Sequence, residues 1–508
     1  MLLLVACNVF AQKAVTIKNN LPITEQFTQE NCTYTIKKKI DLGGKKLVVP
    51  SNSILVFKRK GAICNGSVQF NNTEIKYSTK KGRFSNCSLE GAIRNKELHI
   101  SVMGVYADGI HDDAPIISQV FDCIEDQGTH LYFNCNGDYL IGSEHSKSRP
   151  VVYVRSKTTI EFTGKGYMRL GCKSKVGAVL IAGGADDVVI INPLIDGGGK
   201  DVIEYDHGED GLAIGGGGKN IRVYGGVIRN CAKGGDETID GKAIVGDGGK
   251  GIQIEPYGLA NCVIDGTTII NCNKAISCYR DLRHPQPIQV VFNNIHAIDC
   301  DQFAFIRQVY GFSSKIEEQD VTISNCTIED CGKEDGVFIF GVTRFVRVEN
   351  CKVVGNVKVP AIFRGRAAKS VFNNIIIEQP CESIIDLNPS PYGPYRDEAY
   401  QNYYQLNVKT KYDYILTSDY NREDTNFNLY RSIINVETKN KPNSGLYTGR
   451  GIKPYKFVLN VTLLDNNEIM SKQTPSEVAG GVTWNESMGK LLLKDDSNWV
   501  DVEGNILN

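Results

Sequence analysis

The sequence predicts an all-β protein built as a single-stranded parallel β-helix, and three observations lead to this prediction. A phrase of two short apolar β runs separated by Gly or Asn recurs along the middle of the chain. The separating residues are Gly225, Gly266, Asn294, Asn325, Asn350 and Asn374. Their successive spacings of 41, 28, 31, 25 and 24 residues are in the range of one coil of a solenoid. Gly and Asn enter the left-handed backbone region at low cost, so each phrase predicts a sharp bend.

Length and composition agree with a solenoid. The chain has 508 residues, and a solenoid extends beyond the usual length of one domain because each coil packs only on its neighbours. Its 51 Gly and 16 Pro suit a turn-rich β protein. The 57 Lys and Arg nearly balance the 58 Asp and Glu, so there is no electrostatic argument for nucleic acid or an anionic membrane as a partner.

The first residues, MLLLVACNVFAQ, are apolar and end in small side chains. Residues 1–11 therefore predict a secretory signal peptide with cleavage before Gln12, and the alternative is a lipoprotein signal that leaves Cys7 lipidated. No later run approaches the roughly 20 apolar residues of a membrane span. We expect a secreted, periplasmic or cell-surface protein.

Residues 15–103 predict an irregular β-rich segment made of short runs broken by Asn, Gly and Lys. A helix is predicted next, because apolar residues recur there at helical spacing. These residues are Ile116, Ile117, Val120, Phe121 and Ile124. Asp112 and Asp113 precede them as N-cap candidates. One amphipathic helix at this place predicts a cap over the end of a solenoid, which terminal coils need for solubility.

The same segment resembles the opening of the pectate-lyase-like superfamily, which includes rhamnogalacturonase- and epimerase-type domains and phage tailspikes. The resemblance is carried by Gly104, Ala107, Asp108, Gly109, Asp112, Asp113 and Ile117, then by Tyr132-Phe133 and Gly137-Asp138-Tyr139-Leu140. It implies a right-handed parallel β-helix, which we assign to residues 104–395. It also implies a polysaccharide as the partner and a monomer or a trimer as the assembly.

The bend phrase stops after residue 395. Residues 396–508 predict a β-rich C-terminal extension and cap, rich in Tyr and Asn over 400–460. The closing stretch SEVAGGVTWNESMGKLLLKDDSNWVDVEGN resembles a small terminal module of phage tail fibres and bacterial surface proteins.

Sixteen cysteines in an exported protein normally suggest disulfides, but their placement here follows the repeat. Cys231, Cys272, Cys300 and Cys331 each lie six residues after a bend residue, which predicts small apolar side chains stacked coil upon coil. CxxC and HxxxH pairs are lacking, so no metal cluster is predicted. No cofactor is evident from the sequence, and calcium stays open.

A second short strand follows each bend phrase, and these strands can be laid over one another. They are GIQIE, AISCY, FAFIR, GVFIF, PAIFR and ESIID, beginning at residues 251, 275, 303, 336, 360 and 382. Side chains alternate along a strand, and one outward column is predicted on this basis. It holds Glu255, Tyr279, Arg307, Phe340, Arg364 and Asp386. A second outward column is predicted to hold Gln253, Ser277, Phe305, Phe338, Ile362 and Ile384.

An acid, a phenol and a guanidinium on adjacent coils beside exposed rings predict a saccharide cleft, since Arg binds carboxylates. The candidate catalytic residues are Glu255, Tyr279, Arg307 and Asp210. The candidate substrate-binding residues are Arg280, Arg283, His284, Phe305, Phe338 and Arg364.

Two chemistries fit these residues. β-Elimination needs a cation at the sugar carboxylate, for which Arg307 is the candidate, and a base, for which Tyr279 or His284 is the candidate. Glycoside hydrolysis needs two carboxyl groups, so Glu255 would take its partner from Asp210 or the acidic loop before it. A non-catalytic glycan-binding protein or surface adhesin is the main alternative, and a structural spacer is the third.

Overall fold

The structure is a computed structural model of the chain, and it describes the residues in the following ranges: 13–18, 21–142, 152–171, 178–199, 210–231, 237–239, 242–244, 249–254, 259–281, 288–309, 319–344, 346–368, 370–386, 400–410, 415–418, 427–430, 433–438, 452–455, 458–463, 482–485, 490–495, 498–501 and 506–507. The predicted signal peptide and Cys7 lie outside these ranges. None of the helices in the described part of the chain has the length and apolar character needed to cross a membrane.

Two compact units make up the chain. The first contains residues 1–172 and 185–194, and the second contains residues 173–184 and 195–508.

The first unit begins with parallel strands. They are β1 (Lys13–Thr16), β2 (Cys32–Ile36), β3 (Lys39–Asp41), β4 (Lys46–Val48), β5 (Ile54–Phe57), β6 (Ala62–Tyr77) and β7 (Phe84–Ile93). Thr33 pairs with Ile54, and Ile54 pairs with Glu74, so coils repeat about every 20 residues. The segment predicted to be irregular is therefore already a regular parallel solenoid. Its short period and its many Lys and Asn residues concealed the repeat.

The rest of the first unit contains the helix and further parallel strands. They are β8 (Glu97–His99), a 3-10 turn (Ile100–Val102), α1 (Ala114–Ile124), β9 (His130–Phe133), β10 (Tyr139–Ile141), β11 (Val152–Tyr153), β12 (Thr159–Phe162), β13 (Met168–Leu170) and β15 (Asp186–Ile191). Helix α1 packs against β7, and the Gln119 Oε1 atom accepts a 2.7 Å hydrogen bond from the Leu89 amide. The predicted capping helix is present, and it covers the last coil of the N-terminal strands.

Of the two aspartates predicted to cap α1, only Asp112 bonds to an amide at the start of the helix. Asp112 Oδ1 accepts a hydrogen bond from the amide of Ala114, at 2.9 Å, which satisfies one of the free donors at the start of the helix. Asp113 occupies the N-cap position, but its buried carboxylate accepts from the amides of Tyr106 and Ala107 instead. Asp113 therefore orders the loop before the helix.

The second unit consists of two long parallel sheets. In the first, which we call the bend sheet, two strands per coil flank each bend: β16 (Leu194–Asp196), β18 (Lys219–Tyr224), β19 (Val227–Arg229), β23 (Leu259–Asp265), β24 (Thr268–Ile270), β26 (Ile288–Asn293), β27 (His296–Ile298), β29 (Gln319–Ser324), β30 (Thr327–Glu329), β32 (Val346–Glu349), β33 (Lys352–Val354), β35 (Val371–Ile377), β37 (Tyr400–Thr410), β40 (Ile433–Thr438) and β42 (Val458–Leu463). The second, which we call the straight sheet, contains β14 (Ala178–Gly183), β17 (Asp210–Gly215), β22 (Lys250–Ile254), β25 (Lys274–Asp281), β28 (Gln302–Val309), β31 (Phe338–Arg344), β34 (Val359–Ala368), β36 (Cys381–Asp386) and β38 (Ile415–Ser418).

The predicted bends and coil lengths are confirmed. All six bend residues have left-handed backbone conformations, with φ between 51° and 74°. The register runs from Val223 through Ile264, Phe292, Ile323 and Val348, each one coil from the next. Asn side chains also bond between coils, as in the 2.8 Å hydrogen bond from Asn374 Nδ2 to Asn350 Oδ1.

A second series of left-handed residues lies five positions after the first and was not predicted. It consists of Asn230, Asn271, Asp299, Asp330 and Gly355. The cysteines Cys231, Cys272, Cys300 and Cys331 follow this second bend directly. We call these four residues the thiol ladder. All four side chains are buried, and the 14 cysteines in the described part of the chain are free thiols, so the prediction of stacked thiols is confirmed.

Parallel pairing continues beyond residue 395, because β37 pairs with β35, β40 with β37, and β42 with β40. Two further strands of this region, β39 (Phe427–Tyr430) and β41 (Ile452–Tyr455), pair with each other in parallel. The antiparallel elements are a hairpin of β20 (Glu237–Ile239) and β21 (Lys242–Ile244), and a terminal sheet of β43 (Val482–Asn485), β44 (Lys490–Asp495), β45 (Asn498–Asp501) and β46 (Ile506–Leu507).

Candidate functional site

The straight sheet carries the residues that the sequence singled out, and its register decides which of them are neighbours. Tyr279 pairs with Arg307, as predicted, so the backbones of these two residues lie on adjacent coils about 4.8 Å apart. Ser277 pairs with Phe305 in the same two strands. The predicted alignment therefore holds from β22 to β28.

The predicted alignment is wrong by one residue at β31. Phe305 pairs with Ile339, and Phe338 pairs with Ala304 on the core side. The Phe338 side chain is fully buried, with its ring stacked on Phe363 at 5.1 Å between centroids. Phe338 therefore cannot contact a saccharide. Phe-Ile-Phe is apolar in either register, so alternation along the sequence did not distinguish the two faces.

A row of polar side chains begins four successive strands of the straight sheet. It contains Asp210, Lys250, Lys274 and Gln302, and we call it the polar row. Lys250 pairs with Lys274, and Lys274 pairs with Gln302. Asp210 Oδ1 accepts a 3.1 Å hydrogen bond from the Lys250 amide and lies 3.8 Å from Lys250 Nζ. Two ammonium groups thus lie on adjacent coils beside one carboxylate.

The polar row is largely shielded from water. The Asp210 and Lys250 side chains are 13% and 12% exposed, and Lys274 is 7% exposed. The Lys274 Nζ atom lies 4.9 Å from the centroid of the Phe305 ring, which is a cation–π contact. Phe305 is itself buried, at 6% exposed, so its ring contacts the Lys274 ammonium group and is not displayed to solvent.

Beyond Gln302, the last residue of the polar row, the guanidinium of Arg364 lies between the carboxylates of Asp335 and Asp386. Arg364 Nη1 lies 3.2 Å from Asp335 Oδ1, and Arg364 Nε lies 3.3 Å from Asp386 Oδ2. Asp335, which is half exposed, also accepts a 2.9 Å hydrogen bond from Gln302 Nε2. The Oε1 atom of Gln302 is buried and makes no hydrogen bond within the described residues. Arg364 was predicted to bind substrate in the same column as Arg307, but it pairs with Ile339, which pairs with Phe305, so that alignment was wrong. In the structure Arg364 pairs with two acids.

One carboxyl group next to the polar row is set apart by its environment. Asp301 precedes Gln302, and burial is the main cause that raises its pKa, with repulsion from Glu334 adding to it. Its Oδ2 atom accepts a 3.3 Å hydrogen bond from Asn273 Nδ2, which opposes the shift. A carboxyl group whose pKa is raised in this way is suited to donate a proton.

Several predicted residues lie outside the described residues or are described only in their backbone. Glu255, Arg283 and His284 lie outside the described ranges. The structure describes the backbone of Tyr279 and Arg280 within β25, and not their side chains. Their roles stay predictions.

Sequence reasoning missed Lys250, Lys274, Gln302 and Asp335. Each strand alignment in the sequence began one residue too late to include the polar row, at GIQIE, AISCY and FAFIR. Extending those three phrases by one position would have placed Lys, Lys and Gln above one another. Within the described residues, no group of three or more His, Cys, Asp or Glu side chains is arranged to hold a metal ion.

Comparisons with known proteins agree with this architecture. Residues 173–376 match a family model described as a right handed beta helix region. The match and the parallel register together confirm the right-handed parallel β-helix that the resemblance to the pectate-lyase-like superfamily implied. Comparison with curated protein sequences found no match.

Solved structures similar to this chain include the A-module of the mannuronan C-5 epimerase AlgE6 of Azotobacter vinelandii, at 12% identity and a TM-score of 0.45, covering 71% of this chain and 99% of that one. The Dettilon tailspike protein gp208 has 12% identity and a TM-score of 0.41, covering 78% of this chain and 76% of that one. PfbA, a surface adhesin of Streptococcus pneumoniae, has 12% identity and a TM-score of 0.32, covering 79% and 99%.

Proposed function

We propose that this protein is exported and acts on an acidic polysaccharide that lies along the straight sheet, cleaving it by β-elimination. The observation that supports the proposal is the pairing of Tyr279 with Arg307 on adjacent coils of the straight sheet. The resemblance to the pectate-lyase-like superfamily supports a glycan substrate, and the signal-like residues 1–11 support export. A lipid anchor at Cys7 is the alternative form of export.

The reaction needs few groups. A base removes the proton from the carbon next to the sugar carboxylate, and the electron pair forms a carbon–carbon double bond. The glycosidic oxygen leaves and takes a proton. Arg307 stabilises the negative charge that develops on the carboxylate, and Tyr279 is the candidate base. A neighbouring guanidinium favours the phenolate form of a tyrosine, which is the form that accepts a proton.

The second requirement is positive charge that a polyanion can approach. Lys250 and Lys274 are largely shielded from water, whereas Arg307 is only partly buried. We therefore assign Arg307, and not the lysines of the polar row, to the carboxylate of the polymer.

The test uses Arg307→Ala, with Arg347→Ala as the matched control. Arg347 is an exposed residue of β32 in the bend sheet, paired with Glu349. Purified protein is incubated with a panel of acidic and neutral polysaccharides, and the absorbance of unsaturated uronates is followed. We expect Arg307→Ala to lower the rate about 100-fold or more, as removal of one charge-stabilising donor does, and Arg347→Ala to leave it unchanged. Full activity of Arg307→Ala would overturn the assignment.

Hydrolysis is the second candidate, and Asp301 favours it. This residue has a raised pKa and directly precedes Gln302, whose side chain donates a hydrogen bond to Asp335. Hydrolysis would produce reducing ends without unsaturated products, and Asp301→Asn would abolish them. Retention of a polysaccharide without any product would instead identify a glycan-binding protein.

A further inference from the structure

The first unit contains a cleft of 390 Å³ between strand β7 and the start of helix α1. Its lining includes Asn86, Ser88, Tyr106, Asp112 and Gln119. The volume is within the range of pockets that hold small ligands. The cleft belongs entirely to the first unit and shares no residue with the straight sheet of the second.

The loop that forms one wall of the cleft is held rigidly. The Asp113 carboxylate accepts hydrogen bonds from the amides of Tyr106 at 2.7 Å and Ala107 at 2.9 Å. Further along the loop, the Gly109 amide donates to the Asp138 carbonyl at 2.9 Å, and Arg169 Nη2 donates to the Gly109 carbonyl at 3.1 Å. These contacts fix the loop before any ligand binds, which lowers the entropy cost of binding.

This rigid loop exposes apolar side chains. Tyr106 is 53% exposed, and Ile110 is 75% exposed, the highest value among the large apolar side chains of the described residues. The Tyr106 ring stacks on His111 at 4.6 Å, and His111 Nδ1 lies 2.7 Å from Asp108 Oδ2. His111 therefore supports one face of the Tyr106 ring, and Tyr106 also lines the cleft. An aromatic side chain displayed in this way indicates a binding surface.

The polar atoms of the cleft define the ligand. Gln119 uses its Oε1 atom to accept from Leu89, which leaves its amide nitrogen as a donor. Asn86 uses its Nδ2 atom to donate to Asn65, which leaves its carbonyl oxygen as an acceptor. Ser88 adds a hydroxyl, which both donates and accepts.

The charges around the cleft restrict the chemical class of the ligand further. No Lys or Arg side chain lines the cleft, so it offers an anion no cation. The Asp112 carboxylate already accepts from the amides of Ala114 and Gly142 through Oδ1, both at 2.9 Å. That use within the fold reduces its attraction for a cation. A ligand with hydroxyl groups and an apolar face satisfies the neutral donors, the acceptors and the tyrosine together.

We propose that this cleft is a binding site for a neutral saccharide, separate from the polyanion site of the straight sheet. Tyr106 provides the surface on which a sugar ring stacks. Asn86, Ser88 and Gln119 hydrogen-bond its hydroxyl groups. The two sites would let one chain hold an acidic polymer and a neutral glycan at the same time.

The test measures binding of neutral oligosaccharides by isothermal titration calorimetry, with xylohexaose, mannohexaose, cellohexaose and maltohexaose as probes. Tyr106→Ala removes the stacking surface, and Ser88→Tyr fills the cleft. Tyr153→Ala is the matched control, because Tyr153 is a similarly exposed tyrosine of the first unit at 48%. Spermidine is the cationic probe and a uronate hexamer the anionic one.

We expect at least one neutral probe to bind, with affinity lowered about tenfold by Tyr106→Ala, abolished by Ser88→Tyr and unchanged by Tyr153→Ala. The same affinity should persist in Arg307→Ala, which separates this site from the proposed lyase site. Binding of spermidine or the uronate alone would overturn the ligand class. Absence of binding by every probe, or equal losses in Tyr106→Ala and Tyr153→Ala, would overturn the site.

Discussion

Replacement of Phe338 by alanine tests the corrected register of the straight sheet. The side chain is fully buried, and its ring stacks on Phe363 at 5.1 Å and meets Phe303 edge to face at 5.3 Å. If Phe338 belongs to the core, its removal leaves a cavity between these two rings. If it belonged to the outer face, its removal would expose a surface to water and cost little.

The magnitude follows from the burial. An aromatic side chain buries about 150–250 Å², which at about 25 cal/mol per Å² corresponds to about 4–6 kcal/mol as an upper estimate. Measured Phe→Ala substitutions in cores cost about 3–5 kcal/mol. We therefore expect Phe338→Ala to lower the free energy of unfolding by about 4 kcal/mol.

Urea unfolding followed by circular dichroism measures this change, with Tyr224→Ala as the control. Tyr224 is an aromatic residue of the same unit that is 41% exposed, so we expect its removal to cost about 0.5 kcal/mol or less. Coils of a solenoid interact mainly with their neighbours, so the transition of the second unit broadens if the variant melts locally. A Phe338→Ala protein as stable as Tyr224→Ala would refute the inward placement.

Three further predictions follow from the fold. Burial raises the pKa of Asp113 to about 6 from an ordinary 3.8, so the folded state binds its proton more tightly than the unfolded chain. Between pH 4 and pH 7, the free energy of unfolding of the wild type should therefore fall by up to about 3 kcal/mol relative to that of Asp113→Asn. Equal pH profiles of the two proteins in thermal unfolding would contradict this. Asn325 has a φ of 56°, so Asn325→Ala should be about 1 kcal/mol less stable in urea than Asn325→Gly, and the reverse order would exclude a left-handed bend. The four thiols of the thiol ladder are buried, so alkylation read by mass spectrometry should label the partly exposed Cys87 before them. Early labelling of the ladder would place it outside the core.

Local backbone geometry was the part of this fold that the sequence predicted best. Asn294, Asn325 and Asn350 were identified because few residue types adopt a left-handed conformation cheaply, and the preference acts within a single residue. Cys231 and Cys272 were recognised as stacked because they keep a constant distance from those bends. The parallel coils of residues 13–93 were missed because their period near 20 residues was shorter than the one identified downstream.

Only part of the candidate site could be predicted from the sequence. The pairing of Tyr279 with Arg307 followed from two strands whose apolar residues alternate clearly. The placement of Phe338 did not, because three consecutive apolar residues fit either face. Lys250 and Lys274 were not identified, because nothing in their local sequence indicates that they are buried.

The sequence by itself determined that the chain winds into stacked coils, where each coil bends and which cysteines align. These features depend on the conformational preferences of single residues and on the spacing between them. Only the tertiary structure decided the register of the outer strands, the burial of the polar row and the cleft beside Tyr106. Those depend on contacts between residues dozens of positions apart, where a shift of one residue exchanges the inner and outer faces at little cost to any local preference.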